Sequence, residues 1–218
     1  MKKTLMCIVF CFLAGTMVSN AQSFKEMKQA AKAEMKEKAS KDARKAAKKD
    51  AKDGWKAAPG TLPLEKQYER SFTRQAMEDP ETGELMFIWG DATSPGQTYD
   101  AAKRQAMELA KNLIANQIES NMTEMVKNSV SNDQLTADEA ASITKTVTES
   151  RSIISQKLTN VRPFIEVYRD LPNKTKEVRV MVFYNSKQVQ ESAKAAVRDQ
   201  LKKDNEELGK KLDEKLGW

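Results

Sequence analysis

The residue types that most often do chemistry are nearly missing from this chain. It has no histidine, which removes the commonest general base and the commonest metal ligand together. Its only cysteines, Cys7 and Cys11, lie within an N-terminal apolar run. Carboxylates, Lys, Tyr and Ser/Thr remain. Asp91, Asp100 and Glu119 are candidates for a carboxylate-based hydrolase acting on polysaccharide or peptide, but that chemistry needs two carboxyl groups within about 10 Å of each other, and no spacing singles these three out. The reading is therefore a chain with no catalytic, cofactor-binding or metal-binding residues, and not an enzyme.

The start of the chain accounts for the two thiols. Lys2 and Lys3 precede an apolar run over 5–18, and Ser19-Asn20-Ala21 supply small residues before Gln22. This is the basic, hydrophobic, small-residue order of a cleavable secretory signal peptide over 1–21, and the run is shorter than the roughly 20 apolar residues that span a bilayer. Cleavage takes both cysteines away, so the product has no thiol for a disulfide. Gln22 stands where a lipid-bearing cysteine would. The sequence thus predicts an exported protein, periplasmic or outer-membrane associated, or extracellular. Removing 21 of 218 residues leaves 197, enough for one domain with a core. With 31% charged residues and a mean hydropathy of −0.67, part of that length must be solvated helix.

Charge is concentrated near the front. Residues 23–58 hold twelve Lys/Arg against six Asp/Glu, and the Lys/Ala composition predicts a basic helical segment over 22–58. Its apolar stripe, Phe24, Met27, Ala31 and Met35, is thin, so the segment is expected to stand off as a solvated helix. Peripheral contact with an anionic membrane is a role open to it. No aromatic residues interleave with the cations, so nucleic acid is not expected as a partner. Ala58-Pro59-Gly60-Thr61-Leu62-Pro63 breaks the helix, and 59–63 reads as a linker.

The elements of a domain over 64–195 follow. Leu64, Tyr68 and Phe72 begin a short helix, and Asp79, Pro80 and Gly83 mark a turn. Residues 84–91 are apolar and aromatic, a strand expected to pair back on 70–78. Ser94-Pro95-Gly96-Gln97 has the form of a capping box, with Thr98 as a rival cap. A long helix then carries Ala102, Ala106, Leu109, Leu113, Ile114, Ile118, Met122 and Met125. Its small alanines come first, which lets that end approach another element closely. Thr136 and Glu139 form a second capping box, opening a helix buried along Ala140, Ile143, Val147, Ile154 and Leu158, and the two helices are expected to form an antiparallel hairpin. Residues 161–185 alternate as a β-hairpin with one wet face, Val178, Val180, Val182 and Tyr184 lying opposite Arg179, Met181 and Phe183, a face only partly polar and open to meeting a helix at one end. The end, 196–218, is expected to be a charged helix whose second half is an exposed tail; Gly209 and Gly217 weaken it, so it either frays or self-associates.

Tyr99-Asp100-Ala101-Ala102-Lys103, the Ala106-Met107-Glu108-Leu109-Ala110 turn that follows and the 164–184 hairpin resemble the Lpp-twenty envelope lipoprotein family, a domain also found at the N-terminus of the flagellar protein FlgT. The likeness covers about 64–195. It implies a helix pair on a small antiparallel sheet, an envelope setting and no known catalytic centre. The chain departs from the family in lacking the lipid-bearing cysteine and in adding the basic segment. Pattern and resemblance together give an α+β fold: an antiparallel helix pair on a small antiparallel sheet, with charged helical extensions at both ends. The expected function is an exported, non-catalytic envelope or secreted module that binds a protein or glycan partner.

Overall fold

In the computed structural model the described residues are 38–132, 134–159 and 161–216. The expected signal peptide, residues 22–37 of the basic segment and the last two residues of the chain lie outside them. From Ser40 onward the chain forms one compact unit. Its elements are α1 (Lys41–Lys52), β1 (Lys56–Ala57), α2 (Leu64–Gln75), β2 (Phe87–Gly96), α3 (Tyr99–Ser131), α4 (Ala137–Lys157), β3 (Ile165–Asp170), β4 (Lys176–Asn185), α5 (Ser186–Asp204) and α6 (Glu206–Leu216). The strands form one antiparallel sheet in the order β1-β3-β4-β2. With the helix pair on it, this is the α+β architecture the sequence predicts.

Both faces of the sheet are covered. Val178, Val180 and Val182 of β4 are fully buried on the face that meets α3, where Ser94, Ala92 and Gly90 of β2 lie opposite them. Residues alternate across a strand, so Arg179, Met181 and Phe183 point the other way, toward α2. There Ser71 Oγ lies 3.0 Å from Met181 Sδ, and the Arg74 guanidinium sits 4.1 Å from the Phe87 ring centroid. Met181 and Phe183 are only 7% and 6% exposed. The face expected to be only partly polar does meet a helix, and where α2 covers it, it forms a second core layer.

The alanines at the start of α3 do what their size allows. Thr98 caps the helix, its Oγ accepting from Ala101 N at 3.3 Å, and Ala102, Ala106 and Ala110 are fully buried. A Cβ on Gly90 would stand 2.1 Å from the Ala110 carbonyl oxygen, and one on Gly96 would stand 2.6 Å from Ala102 N. Backbone therefore meets backbone where α3 crosses β2. Further along, Ile114, Ile118, Met122 and Val126 join Ile143, Val147 and Ile154 of α4 in one core. The Thr136–Glu139 capping box that starts α4 is complete, with bonds of 3.3 and 2.8 Å.

Five expectations are corrected. Residues 70–75 are helical, and β2 pairs with β4 along its length, leaving only a Glu78–Leu85 bridge of the expected pairing. The Tyr68 and Phe72 spacing outweighs the short apolar run. Ser94, Pro95 and Gly96 belong to β2, and Thr98 is the cap of α3. The boundary expected at 59–63 falls inside the compact unit: α1 packs on α2, β1 pairs with β3, and Ala58 N donates to Glu166 O at 3.1 Å. Within the described residues the basic segment is thus docked by Ala43, Ala47 and Asp50, all buried, and does not stand off.

The C-terminal tail is the fifth. Asn205 ends α5 and its Oδ1 accepts from Leu208 N at 3.0 Å, so the chain folds back as α6. Gly209 permits the crossing, since a Cβ there would stand 2.6 Å from Lys202 Cγ. Lys202 Nζ reaches Asp213 at 2.8 Å, and Lys211 pairs with Glu139 of α4. Hydrogen bonding from Lys211 holds the Glu139 carboxyl down at about 2. Leu208 and Leu212 enter the core at 5% and 0% exposure, so the apolar face proposed for self-association is used within the chain. Leu212→Ala is expected to cost about 2–5 kcal/mol in urea unfolding, as truncation of a core leucine does. A free tail would give a change within about 0.5 kcal/mol.

Candidate functional site

The structure does not bring the three candidate carboxylates together. Asp91 pairs across the sheet with Met181, on the face toward α2. Asp100 is exposed in the first turn of α3, and Glu119 lies 3.8 Å from Arg151 of α4. At 1.5 Å per residue Asp100 and Glu119 are about 28 Å apart along one helix. Among the described residues no group of three or more His, Cys, Asp or Glu is arranged to hold a metal ion, and no helix is long and apolar enough to cross a membrane.

Asp91 does have a neighbour that sequence reasoning missed. Arg179 Nη2 lies 2.5 Å from Asp91 Oδ2 and its Nε 2.9 Å from Asp91 Oδ1, while Nη1 reaches Asp50 Oδ2 at 3.5 Å. The Tyr68 hydroxyl donates to Asp50. One guanidinium thus ties β4, β2 and α1, with α2 supplying the phenol. The hydrogen bond to Asp91 raises the Arg179 pKa, and burial followed by the bond to Asp50 raises that of Tyr68, so both keep their protons near neutral pH. A second knot forms on the other face, where Tyr99 Oη and Lys103 Nζ both donate to Glu166. Burial and that bond raise the Tyr99 pKa. These clusters join elements far apart in sequence, and each polar group is committed to a partner within the fold.

A row of uncommitted backbone groups lies along β2. Because β2 ends the strand order, one of its edges has no strand beside it among the described residues. Ser186 N donates to Met86 O, which fixes the alternation: Ile88, Gly90, Ala92 and Ser94 turn their backbone groups toward β4, and Phe87, Trp89, Asp91 and Thr93 turn theirs outward. Pro95 falls at an outward position, where it withholds no ladder donor. Among the described residues the outward carbonyl of Trp89 accepts from Gln117 Nε2 at 3.0 Å, and the outward N–H groups meet no acceptor. Beside this edge runs a groove of about 600 Å³ lined by Leu85, Phe87, Trp89, Gln117, Asn121 and Met125.

The helix flank of the groove is unusual for this chain. Glu84 and Glu124 also line the groove, but one stripe of α3, Leu109, Leu113, Gln117, Asn121 and Met125, recurs every fourth residue without a charge and runs on from the groove past its lining residues, in a chain where 31% of residues are charged. Leu109, Leu113, Met125 and Leu85 are 38–46% exposed. Depletion of charge around apolar side chains is the compositional mark of an interface centre. A smaller cavity of about 430 Å³ opens between α4, the end of β4 and α5, beside Ile154, Leu158, Val161 and Val189. Near it the Tyr184 hydroxyl is buried without a partner among the described residues, and burial pushes it up to about 12.

The edge was within reach of the sequence, because a proline inside a strand pattern demotes that strand to an edge. Read as a helix start, Pro95 ends the expected strand at Asp91, whereas β2 runs to Gly96. The Arg179 tie had no such signal: its partners are 88 and 129 residues away. It holds α1, whose other buried contacts are Ala43 and Ala47, worth only about 1–2 kcal/mol of methyl burial together. Arg179→Met is therefore expected to cost about 1–3 kcal/mol, between the limits for exposed and buried pairs, and to speed hydrogen exchange in Lys41–Lys52. Unchanged exchange in that helix would contradict the assignment.

Comparison with family models, curated proteins and solved structures gives no match for this chain.

Proposed function

We propose that the chain is an exported, non-catalytic binding module of the cell envelope that takes an extended segment of a partner protein along the outer edge of β2. The basic, apolar and small-residue order of its first 21 residues supports export. The observation that carries the binding role is the row of outward N–H groups on Phe87, Trp89, Asp91 and Thr93 beside the uncharged stripe on α3. A polypeptide matches that two-residue repeat with its own backbone, and its alternate side chains fall against Leu109 and Leu113, as in other strand additions to an open edge. A glycan lacks the repeat. Pro95 and the outward groups' short run limit pairing between edges of separate copies.

Linear peptides selected from a random library on the purified protein test this reading. They are expected to be extended sequences with alternating apolar residues, and to slow amide exchange at Phe87, Asp91 and Thr93. Thr93→Pro deletes an outward donor while sparing the bonds to β4, and is expected to weaken such peptides about tenfold, one hydrogen bond's worth. Peptides that protect other amides, or that bind Thr93→Pro as tightly as the parent, would count against the proposal.

A further inference from the structure

A second surface, apart from the β2 edge, is the outer face of α1. Positions 41, 44, 45, 48, 49 and 52 are all Lys or Arg, and with Asp42 and Asp50 they give this one helix a net +4 of the chain's +6. All six are exposed. At 3.6 residues per turn they fall within an arc of about 140°. The buried Ala43, Ala47 and Asp50 occupy the opposite side, and Arg179 engages Asp50 from beneath. Docking therefore aims every cation outward.

Such a face works against its own helix. Lys41 and Lys45, Arg44 and Lys48, Lys45 and Lys49, and Lys48 and Lys52 are like-charged neighbours four residues apart, a spacing at which repulsion opposes helix formation. Among the described residues none of the six cations forms an ion pair with a carboxylate. The helix is nevertheless held in shape at both ends. Ser40 Oγ accepts from Ala43 N at 3.3 Å, and Gly54, at φ +84°, lets the chain turn away after Asp53. The result is a straight, convex cationic ridge about 18 Å long. No aromatic residue lies within the helix itself for base stacking, and the cavity of about 410 Å³ that Arg44 and Lys48 border is also lined by Glu65 and by apolar side chains, which does not suit a single small anion. The ridge's complement is a plane of fixed negative charge.

We propose that α1 docks the protein onto the phosphate headgroup layer of an anionic bilayer. A basic residue close to such a surface strengthens partitioning by about fivefold, so the triple variant Lys45→Gln, Lys48→Gln, Lys52→Gln loses about a hundredfold. Co-sedimentation of the exported product with vesicles of phosphatidylcholine, with or without phosphatidylglycerol, is the test. The parent is expected to bind the vesicles containing phosphatidylglycerol, and to leave them when salt rises from about 0.1 M to about 1 M, where the screening length falls from about 10 Å to about 3 Å. The triple variant is expected to lose that binding while its melting temperature holds or rises, since the substitutions relieve repulsion. Equal binding by parent and variant overturns the proposal. So does retention on an anionic polysaccharide without any binding to the vesicles.

Discussion

The structure depends on how closely α3 lies on β2. Gly90 and Gly96 on the strand and Ala102, Ala106 and Ala110 on the helix remove the side chains that normally hold a helix off a sheet, so backbone meets backbone over the first turns of α3. That seating fixes the rest of the helix. Its next apolar residues, Ile114 to Val126, project past the sheet and find α4 instead, and α4 in turn gives α5 and α6 something to close on. The same seating brings Gln117 within 3.0 Å of the Trp89 carbonyl and sets the uncharged stripe of α3 beside the open edge. The candidate site is thus a by-product of one contact between small residues.

On the opposite face the controlling interaction is electrostatic. α2 brings Tyr68 and Ser71 onto the sheet, but α1 has only two alanine methyls to bury, too little to hold a helix that carries six cations. The Arg179 guanidinium compensates by engaging Asp50 and Asp91 at once. A cation placed beneath α1 attracts the helix's one buried acid, and the lysines are left to face solvent. The two proposed surfaces therefore have separate origins, one in packing and one in charge.

The periodic parts of the fold were legible in the sequence: the two long helices, the Thr136–Glu139 box and the 164–184 hairpin all follow from spacing and caps. What stayed hidden depended on distant partners. The pairing of β2 with β4 joins residues about 90 apart, and the covering of β4 on both faces cannot be read from alternation in β4 alone. The fold-back of α6 was more accessible, because Asn205 followed by Glu206 and Glu207 is a cap with acids in the first turn. Gly209 there marks a helix crossing, where the sequence suggested weakness. For the site, Pro95 held the clue, and the outward alternation of β2 required knowing its partner strand.

The most direct test of the seating of α3 is the stability of Gly90→Ala. The added methyl group has no room beside the Ala110 carbonyl, so helix and strand must separate. Urea unfolding is predicted to show a loss of about 1–3 kcal/mol or more, the scale of overpacking in a closed core, with faster exchange along both β2 and the first half of α3. A stability within about 0.5 kcal/mol of the parent would mean that the two backbones are not in contact, and the account of how the edge is presented would fail with it.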